Sequence, residues 1–393
     1  MLDVLIVGAG PVGLHLGALL LQDGLKVRIL ERRAAPSTHS RAIGIHPPGL
    51  AALGEAGIAA GVSREGVHIT RGVARSAGKA VTGLRFEGIG NGHPFILALP
   101  QARTEALLAA RVAELDPGAL LRGLSVTALH DAGTQVSLTA SPHAGEGHGP
   151  NGSNSAGHGR DSQTLTARLV VGADGARSTI RRELGIATRG RNYPDTYLMG
   201  DFPDTGTDGP TAVLYLETGG IVESFPLPGR LRRWVVHTDR LLTGASAADL
   251  AGLIRDRTGT AVPAEQNSML SAFGVRTRLA TRMVQGRAVL IGDAAHEISP
   301  IGGQGMNLGW LDACALAPII VAALRGEATG LRLERFEQSR MAAANRASTQ
   351  AWLNMVLGRP QSASFLARRH QLVRGVFRAQ WTRDVVARRF SMQ

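Results

Sequence analysis

The sequence predicts an α/β fold, with a parallel sheet covered by helices and a smaller part built on an antiparallel sheet. Two observations support this. Apolar strands end in glycine-rich turns that open helices around residues 4–24, 167–185 and 286–316. Short strands separated by turn residues fill 186–275 instead. Because 393 residues is long for one compact domain, we expect two domains that share a large core.

The composition is that of a soluble globular protein. Apolar residues make up 44% and charged residues 19% of the chain. No apolar run approaches the roughly 18 residues of a membrane span, so an integral membrane protein is not expected. No basic region precedes the first apolar stretch, which argues against a signal peptide. The single cysteine, Cys314, excludes an internal disulfide and favours a reducing compartment, the cytoplasm.

The net charge of +12 suggests nucleic-acid binding, but the charge pattern does not. Only Lys26 and Lys79 are lysines, and the arginines are spread along the whole chain. Nucleic-acid binders more often cluster their charge and supply aromatic side chains for stacking, and aromatics are only 4% here. We therefore expect no nucleic-acid partner.

The N-terminus reads as a complete β-α-β unit. The apolar run "VLIV" (4–7) leads into GAGPVG, then a helix, then the strand "KVRIL" with Glu31 at its end. This is a Rossmann-like arrangement, in which the glycines allow a tight turn, close approach to a pyrophosphate and close helix packing. The helix start offers unpaired N–H groups to the phosphates, and Glu31 is placed to bind a ribose hydroxyl. The predicted contacts in this unit are Gly8, Gly10, Pro11, Val12, Gly13, Glu31 and Arg32.

A second match to the glycine pattern, GHGPNG at 147–152, lacks this context. It lies in 141–164, which contains no Leu, Ile, Val or Phe, so no strand precedes it and no helix follows. Its histidines, His143, His148 and His158, stand in a polar loop that would not hold metal ligands in fixed geometry. We interpret 141–164 as a disordered surface insertion, and we expect no metal site.

Two later stretches decide which dinucleotide is bound. "ARLVVGADGARSTIRRELG" (167–185) is a strand, a turn at Asp174 and a basic helix start. "GRAVLIGDAAHEISPIGGQGMNLGWLDACAL" (286–316) is a strand, then Gly292-Asp293, a glycine-rich loop and a long helix. Asp293 could bind the ribityl hydroxyls of an extended flavin, and the helix start could stabilise the charge on a reduced flavin ring. NAD would not need this second anchor, so FAD is predicted.

At these motifs the chain resembles the single-component flavoprotein aromatic hydroxylases that share the para-hydroxybenzoate hydroxylase fold. GAGPVG with Glu31, "GADGARS" and "GDAAHEISPIGGQGMNLGWLDA" match its three motifs in order, and "RAIGIHPPGL" and "LPQARTEALL" agree as well. The resemblance covers about 1–50, 95–185 and 275–345. It looks closest to the aromatic-polyketide and antibiotic branch, whose members commonly carry a C-terminal thioredoxin-like domain that we do not find here.

The resemblance implies further site residues. Pro300 matches the proline beside the reactive flavin carbon, and with Gly303 it would shape the flavin face; no general base is identified. Arg103 is a weaker candidate contact, His296 is interpreted as structural, and Cys314 is interpreted as a packed thiol. The further cofactor contacts that the resemblance and the chemistry imply are Arg41, Gln101, Asp174, Gly292, Asp293, Pro300, Gly303, Gly305, Met306 and Asn307.

The resemblance also implies how the chain is divided. An antiparallel sheet would cover the flavin, and its aromatic residues Tyr215, Phe225 and Trp234 are interpreted as core. The C-terminal tail has apolar residues at helical spacing among eight arginines from 359 to 389, typical of a helix packed on the flavin domain, with a membrane or a partner as the alternative. The expected parts are an FAD-binding domain over 1–70, 95–185 and 275–345, a substrate-binding domain over 71–94 and 186–274, and a C-terminal helical segment over 346–393.

The function implied is an FAD-dependent, NAD(P)H-consuming monooxygenase. It would hydroxylate a phenolic or polycyclic aromatic compound with O2 through a flavin C4a-hydroperoxide, with the flavin carrying the oxygen chemistry. The alternative is a flavin-dependent reductase or dehydrogenase on the same fold that does not activate oxygen. A halogenase is disfavoured because no W-x-W-x-I-P stretch is present. We expect a monomer or a homodimer.

Overall fold

The structure is a computed structural model that describes residues 1–36, 42–87, 92–143, 162–376 and 380–392. Arg41 and residues 144–161 of the predicted insertion lie outside the described residues. The ends of that insertion are strands rather than loop, because Ala140 pairs with Gln163 and Thr139 with Thr164. Backbone hydrogen bonds extend the pairing of β10 and β11 into these polar residues, so the two strands are longer than the composition predicts.

The described part of the chain contains strands and helices in mixed order. The strands are β1 (Leu2–Val7), β2 (Val27–Glu31), β3 (Gly44–Ile45), β4 (Val67–Ile69), β5 (Arg71–Ser76), β6 (Lys79–Arg85), β7 (Ile96–Ala98), β8 (Leu120–Arg122), β9 (Leu124–Asp131), β10 (Val136–Pro142), β11 (Gln163–Gly172), β12 (Thr188–Pro203), β13 (Thr211–Glu217), β14 (Gly220–Leu227), β15 (Leu231–Thr238), β16 (Met269–Ala280), β17 (Val284–Gln285), β18 (Ala288–Leu290) and β19 (His296–Glu297). The helices are α1 (Pro11–Gln22), α2 (Pro47–Glu55), α3 (Ala59–Glu65), α4 (Gln101–Leu115), α5 (Thr179–Glu183), α6 (Ala247–Thr258), α7 (Gly305–Leu324), α8 (Gly330–Gly358), α9 (Ala363–Val376) and α10 (Gln380–Phe390).

The first sheet contains the predicted parallel strands, and β17, β10 and β9 join it by antiparallel pairing. Its main order is β17-β18-β11-β1-β2-β8, and β10 and β9 extend it from β11. The central strand β1 pairs in parallel with β2 on one side and β11 on the other. Leu5 and Ile6 are fully buried there, because helices cover both faces of a sheet of this kind. This topology brings the three glycine-rich turns to the carboxyl ends of neighbouring strands.

The second sheet has the order β19-β16-β12-β15-β14-β13-β5-β6 and is antiparallel except where β13 pairs with β5. Side chains alternate between its two faces. The outer face carries Leu198, Val222 and Trp234, which pack with Leu250 and Ile254 of α6. We call the opposite face, which carries Tyr197, Met199, Ile221 and Val235, the inner face. The predicted antiparallel sheet over 186–275 is therefore confirmed.

Helix α7 departs from the sequence expectation. It is 20 residues long with a mean hydropathy of 1.7, which is long and apolar enough to cross a membrane. It is nevertheless an interior helix, packed against α1, α2 and α8, and its residues Trp310 and Leu316 are fully buried. A helix that is apolar all round is also typical of the core of a large soluble domain.

The C-terminal helices pack against more of the molecule than the sequence predicts. Helices α9 and α10 contact β6 of the antiparallel sheet. Ala387 and Phe390 of α10 join an apolar cluster with Phe86 and Leu227. The same cluster includes Ile43 of the expected FAD-binding domain, so α10 packs where residues of both expected parts meet. Helical spacing identifies the apolar face of a helix without identifying the surface that the face covers.

Candidate functional site

The turn between β1 and α1 has the geometry of a phosphate site. Gly8 adopts a φ of +103°, which favours glycine. A Cβ on Gly13 would lie 2.0 Å from the carbonyl oxygen of Gly8, so only glycine permits this approach of helix to strand. A Cβ on Gly10 would meet nothing within 4 Å, and the start of α1 carries no side-chain cap. Open space above an uncapped helix start can accept a pyrophosphate.

Glu31 lies at the end of β2 beside this turn and is buried. Its carboxylate accepts hydrogen bonds from the backbone N–H of Ala9 at 2.9 Å and from the backbone and side chain of Arg33 at 2.9 and 3.0 Å. Burial opposes its ionisation, but these donors hold the pKa of Glu31 below its usual value. Arg32 is exposed, so its neighbour Arg33, missed in the sequence, is the arginine that orders Glu31.

Gln101 opens α4 near the same carboxylate. Its side-chain amide donates to Glu105 at 2.7 Å, and Glu105 is buried closely enough to Glu31 that the two charges interact. Burial raises the pKa of Glu105. Arg103, in contrast, pairs with Glu65 at 2.9 Å and is largely exposed. The structure thus brings Gln101, but not the Arg103 side chain, to the group around Glu31.

The turn after β11 contacts both other motifs. The Oδ2 atom of Asp174 accepts the backbone N–H groups of Thr179 at 2.6 Å and Ile180 at 3.1 Å, which caps α5. Its Oδ1 atom is buried and has no partner among the described residues, and burial raises the pKa of Asp174. Arg181 donates to the carbonyl oxygen of Ala294 at 2.8 Å. Asp174 therefore caps a helix with one oxygen and keeps the other available.

Asp293 projects into a recess at the end of β18. Its side chain is exposed although Gly292 and Ala294 on either side are buried. The protein around the recess nevertheless removes enough water to raise the pKa of Asp293 to about 6. A Cβ on Gly305, at the start of α7, would lie 3.9 Å from the Asp293 carboxylate. The recess therefore joins Asp293 to an uncapped helix start.

A buried ionic network holds Gly292 in place. Asp312 accepts a hydrogen bond from His296 at 2.5 Å, from Arg340 at 2.6 Å and from the backbone N–H of Gly292 at 3.0 Å. Burial opposes protonation of His296, but the Asp312 charge raises its pKa, so the two form an ion pair. The structural interpretation of His296 agrees with this geometry. Asp312 and Arg340 were missed, although an aspartate in an otherwise apolar helix was a visible signal.

The loop before α7 turns sharply at two glycines. Gly302 and Gly303 have φ values of +102° and +65°, and Pro300 is exposed. Asn307 is buried, and its side-chain amide donates to the carbonyl oxygens of Gly44 at 3.0 Å and Gly303 at 2.8 Å. Any cofactor contact from Asn307 therefore falls mainly to its backbone. Met306, beside it, is half-buried.

His46 contacts the same loop and was not predicted from the sequence to be a site residue. It is buried, its Nε2 atom lies 3.2 Å from the carbonyl oxygen of Gly302, and its backbone N–H donates to the Asn307 side chain at 2.9 Å. Burial lowers its pKa to about 4, so the ring is neutral. His46 therefore positions the loop without contributing charge.

The inner face of the antiparallel sheet packs against this loop. Ile301 lies in one apolar cluster with Tyr197, Met199 and Val235, and Met355 of α8 closes the cluster. Tyr215 and Trp234 stack with each other on the outer face at 5.9 Å, and Phe225 packs in a separate apolar cluster, so their interpretation as core is confirmed. The aromatic side chains nearest the loop, Tyr197 and Phe273, were not predicted.

These features define a class of protein: a dinucleotide-binding α/β fold covered by an antiparallel sheet. The residues fit an extended flavin nucleotide, because the open turn at Gly10, the free oxygen of Asp174 and the recess at Asp293 are separate polar contacts in one fold. The family described as FAD binding domain matches residues 1–351, and the chain belongs to that family. The predicted choice of FAD over NAD(P) is thereby confirmed.

The curated relatives agree with the resemblance found in the motifs. The chain is 32% identical over 355 residues to 6-methylpretetramide 4-monooxygenase of Streptomyces rimosus, covering 88% of this chain and 60% of that protein. It is 31% identical over 352 residues to rifampicin monooxygenase of Streptomyces venezuelae, covering 86% and 68%. The chain thus spans 60% of the first relative's length and 68% of the second's.

Solved structures share the whole architecture. p-Nitrophenol 4-monooxygenase from Pseudomonas putida DLL-E4 superposes with a TM-score of 0.86 at 23% identity, covering 99% of this chain and 97% of that one. Anhydrotetracycline hydroxylase from Streptomyces rimosus gives 0.77 at 28% identity, covering 100% and 76%. The first of these similarities supports the fold alone.

Proposed function

We propose that this protein is an FAD-dependent monooxygenase that consumes NAD(P)H and O2 and hydroxylates a phenolic or polycyclic aromatic compound. The observation that carries the proposal is the packing of the apolar inner face on Ile301, which lies in the loop that leads from the motif of Asp293 to α7. A flat aromatic molecule fits between an apolar sheet face and a flavin ring. The relatives named as monooxygenases of polyketide-type compounds support the same substrate class.

The reaction converts an aromatic C–H bond, O2, NAD(P)H and a proton into a phenol, NAD(P)⁺ and water. FAD, when bound, supplies electron transfer from NAD(P)H and the activation of oxygen. In our proposal the start of α1 binds the pyrophosphate, the Glu31 group binds the adenosine ribose, and Asp293 binds the ribityl chain. The start of α7 stabilises negative charge on the flavin ring. Pro300 and Gly303 shape the flavin face, while the inner face orients the aromatic ring and excludes water.

We also propose the division into domains. The FAD-binding domain comprises 1–70, 95–185 and 275–345, and 71–94 with 186–274 forms the substrate-binding domain. The distribution of strands between the two sheets supports this division, although β19, within 275–345, joins the antiparallel sheet. The protein is a monomer or a homodimer in the cytoplasm, an environment consistent with its one free, half-buried cysteine.

Labelled oxygen tests the function. The FAD-loaded protein is incubated with NADH or NADPH, ¹⁸O₂ and a panel of phenols and polycyclic aromatics, and the products are analysed by mass spectrometry. We expect aromatic-dependent oxidation of NAD(P)H and one ¹⁸O atom in the product. Stoichiometric reduction of a substrate under anaerobic conditions, with no label incorporated in air, would replace this function with that of a reductase or dehydrogenase.

A further inference from the structure

Glu223 is a buried carboxylate without a protein partner. It lies in the middle of β14 and is 8% exposed. It makes no hydrogen bond or ion pair with any residue that the structure describes. A buried ionisable group is normally paired, because removing it from water is costly. An unpaired one therefore requires an explanation.

The strand register places Glu223 on the inner face. Ile221, two residues earlier, lies in the inner-face cluster, while Val222 between them lies on the outer face. Glu223 pairs across the sheet with Leu214 on one side and Val235 on the other. Val235 is in the cluster that contains Ile301 of the loop before α7. The carboxylate therefore shares the face on which an aromatic substrate would lie.

The other charged groups around this face are already paired. On β15, Arg233 binds Asp201 through two hydrogen bonds of 2.7 Å. Asp195 is bound by Arg359 at 2.9 and 2.8 Å and lies 3.6 Å from His237. The cross-strand neighbours from β13 and β15 are apolar. Among the residues that the structure describes, Glu223 is thus the carboxylate of this face that is left for a ligand.

Tyr197 is a second titratable group on this face, and its charge interacts with that of Glu223. Its hydroxyl is buried without a partner among the described residues. Burial raises the pKa of Tyr197, and the charges of Glu223 and Asp195 raise it further, so this hydroxyl stays protonated. It can donate a hydrogen bond but does not supply a base. Burial also raises the pKa of Glu223 to about 7, which makes it a stronger base than an exposed carboxylate.

We propose that Glu223 recognises a phenolic substrate and accepts its hydroxyl proton. This inference rests on the proposed function. The phenol O–H bond breaks, the proton forms a carboxylic acid on Glu223, and the electron pair stays on the phenol oxygen. The ring becomes richer in electrons at its ortho and para carbons, where an electrophilic oxygen is added. After the product leaves, the carboxylic acid returns its proton to water.

The experiment measures binding without turnover. The FAD-loaded protein is titrated with 3-nitrophenol and with its methyl ether, 3-nitroanisole, in the absence of NAD(P)H. The pH is slightly above 7, where Glu223 is mostly ionised and the free phenol is still mostly neutral. We expect wild-type protein to bind the phenol at least about tenfold more tightly than the ether and to show the nitrophenolate absorption band. Glu223→Gln should lose both the preference and the band. Glu265→Gln, which changes an exposed carboxylate, should behave as wild type.

Two results overturn the proposal: equal binding of phenol and ether by wild type, or a Glu223→Gln protein that keeps the preference and the band. If Glu223→Gln does not fold, Glu223→Asp takes its place and should show a weaker band. Infrared titration supplies a further readout, since a carboxylic-acid band that titrates near neutral pH should disappear in the variant. The binding titration contains no NAD(P)H and therefore does not depend on turnover. If the labelled-oxygen experiment shows no oxygen incorporation, the proposed function is wrong, and the titration still decides whether Glu223 binds a phenol.

Discussion

Trp310 donates its indole N–H to the carbonyl oxygen of Pro11 at 3.1 Å, across 299 residues of sequence. This bond joins the start of α1 to the second turn of α7. Beside it, Val12 fills the space that a Cβ on Gly309 would need, at 2.3 Å. The phosphate turn and the recess of Asp293 are therefore parts of one packed unit, and their spacing is set by the contact between two helices.

Replacing Gly13 by alanine should lower the stability of the protein, whereas replacing Gly10 by alanine should lower its affinity for FAD. A Cβ on Gly13 would collide with the Gly8 carbonyl, so Gly13→Ala should destabilise the apoprotein by about 1–3 kcal/mol. A Cβ on Gly10 meets no protein atom within 4 Å, so Gly10→Ala should fold normally and bind FAD more weakly. Thermal unfolding and FAD titration of both variants measure this. Equal loss of stability in the two variants would contradict the assignment of open space to the phosphates.

The residues between β10 and β11 should be dispensable. Ala140 already lies opposite Gln163, so a short turn can close the hairpin after deletion of 144–160. We expect FAD content and turnover close to wild type, because closing a shorter loop changes the folding free energy little. A large loss of either quantity, measured on purified protein, would assign a function to the deleted segment.

Asp312→Asn should be among the most destabilising single changes, at about 3–5 kcal/mol, because it leaves His296 and Arg340 buried without a counter-charge. The pKa of Asp312 is lowered, so its contribution is present above its ordinary value of 3.8 and is lost as pH falls through the folded value. The pKa of His296 is raised, so its contribution is complete below 6.5 and is lost as pH rises.

Urea unfolding of wild type and Asp312→Asn across pH therefore checks the network. The difference in stability should be greatest between about pH 4 and 6.5. Arg332→Gln provides the control, because Arg332 and Glu327 form an exposed pair at 3.2 Å. Arg332→Gln should lower the free energy of unfolding by less than about 1 kcal/mol at every pH. A pH-independent difference for Asp312→Asn would mean that His296 is neutral.

Asp293→Asn should have opposite effects on stability and on FAD binding. Because the surrounding protein removes water from Asp293 and raises its pKa to about 6, ionisation destabilises the apoprotein as pH rises toward that value, and the neutral amide should stabilise it. The ionised carboxylate is also the form that accepts hydrogen bonds from ribityl hydroxyls, so the variant should bind FAD roughly 10–100-fold more weakly. In wild type, FAD affinity should fall as pH drops below 6, and in the variant it should not. Fluorescence titration between pH 5 and 8 measures both.

Much of the fold was predictable because its signals are local. The positive φ of Gly8 and the contact at Gly13 follow from a glycine pattern between a strand and a helix. The partners of Asp312 and the placement of Glu223 were not predictable. They depend on tertiary contacts between strands and helices that are far apart in the sequence, and no short sequence pattern predicts those contacts. The packing of α10 on Phe86 is a further case of the same kind.

Gly305→Leu should separate cofactor binding from productive oxygenation. Gly305 lies in the first turn of α7, and its missing side chain would point toward Ile298 at 3.6 Å and the Asp293 carboxylate at 3.9 Å. Leucine is compatible with the helix and would extend into the recess, displacing the flavin ring without straining the backbone. Variants that retain FAD should oxidise NAD(P)H but release more hydrogen peroxide per hydroxylated product, because the site no longer excludes water. Gly330→Leu is the matched control, because Gly330 lies at an exposed helix start and a Cβ there meets nothing within 4 Å. This variant should release no more hydrogen peroxide per hydroxylated product than wild type. Peroxide and product are measured in the same reaction, and an unchanged ratio in Gly305→Leu would mean that the start of α7 does not border the reacting ring.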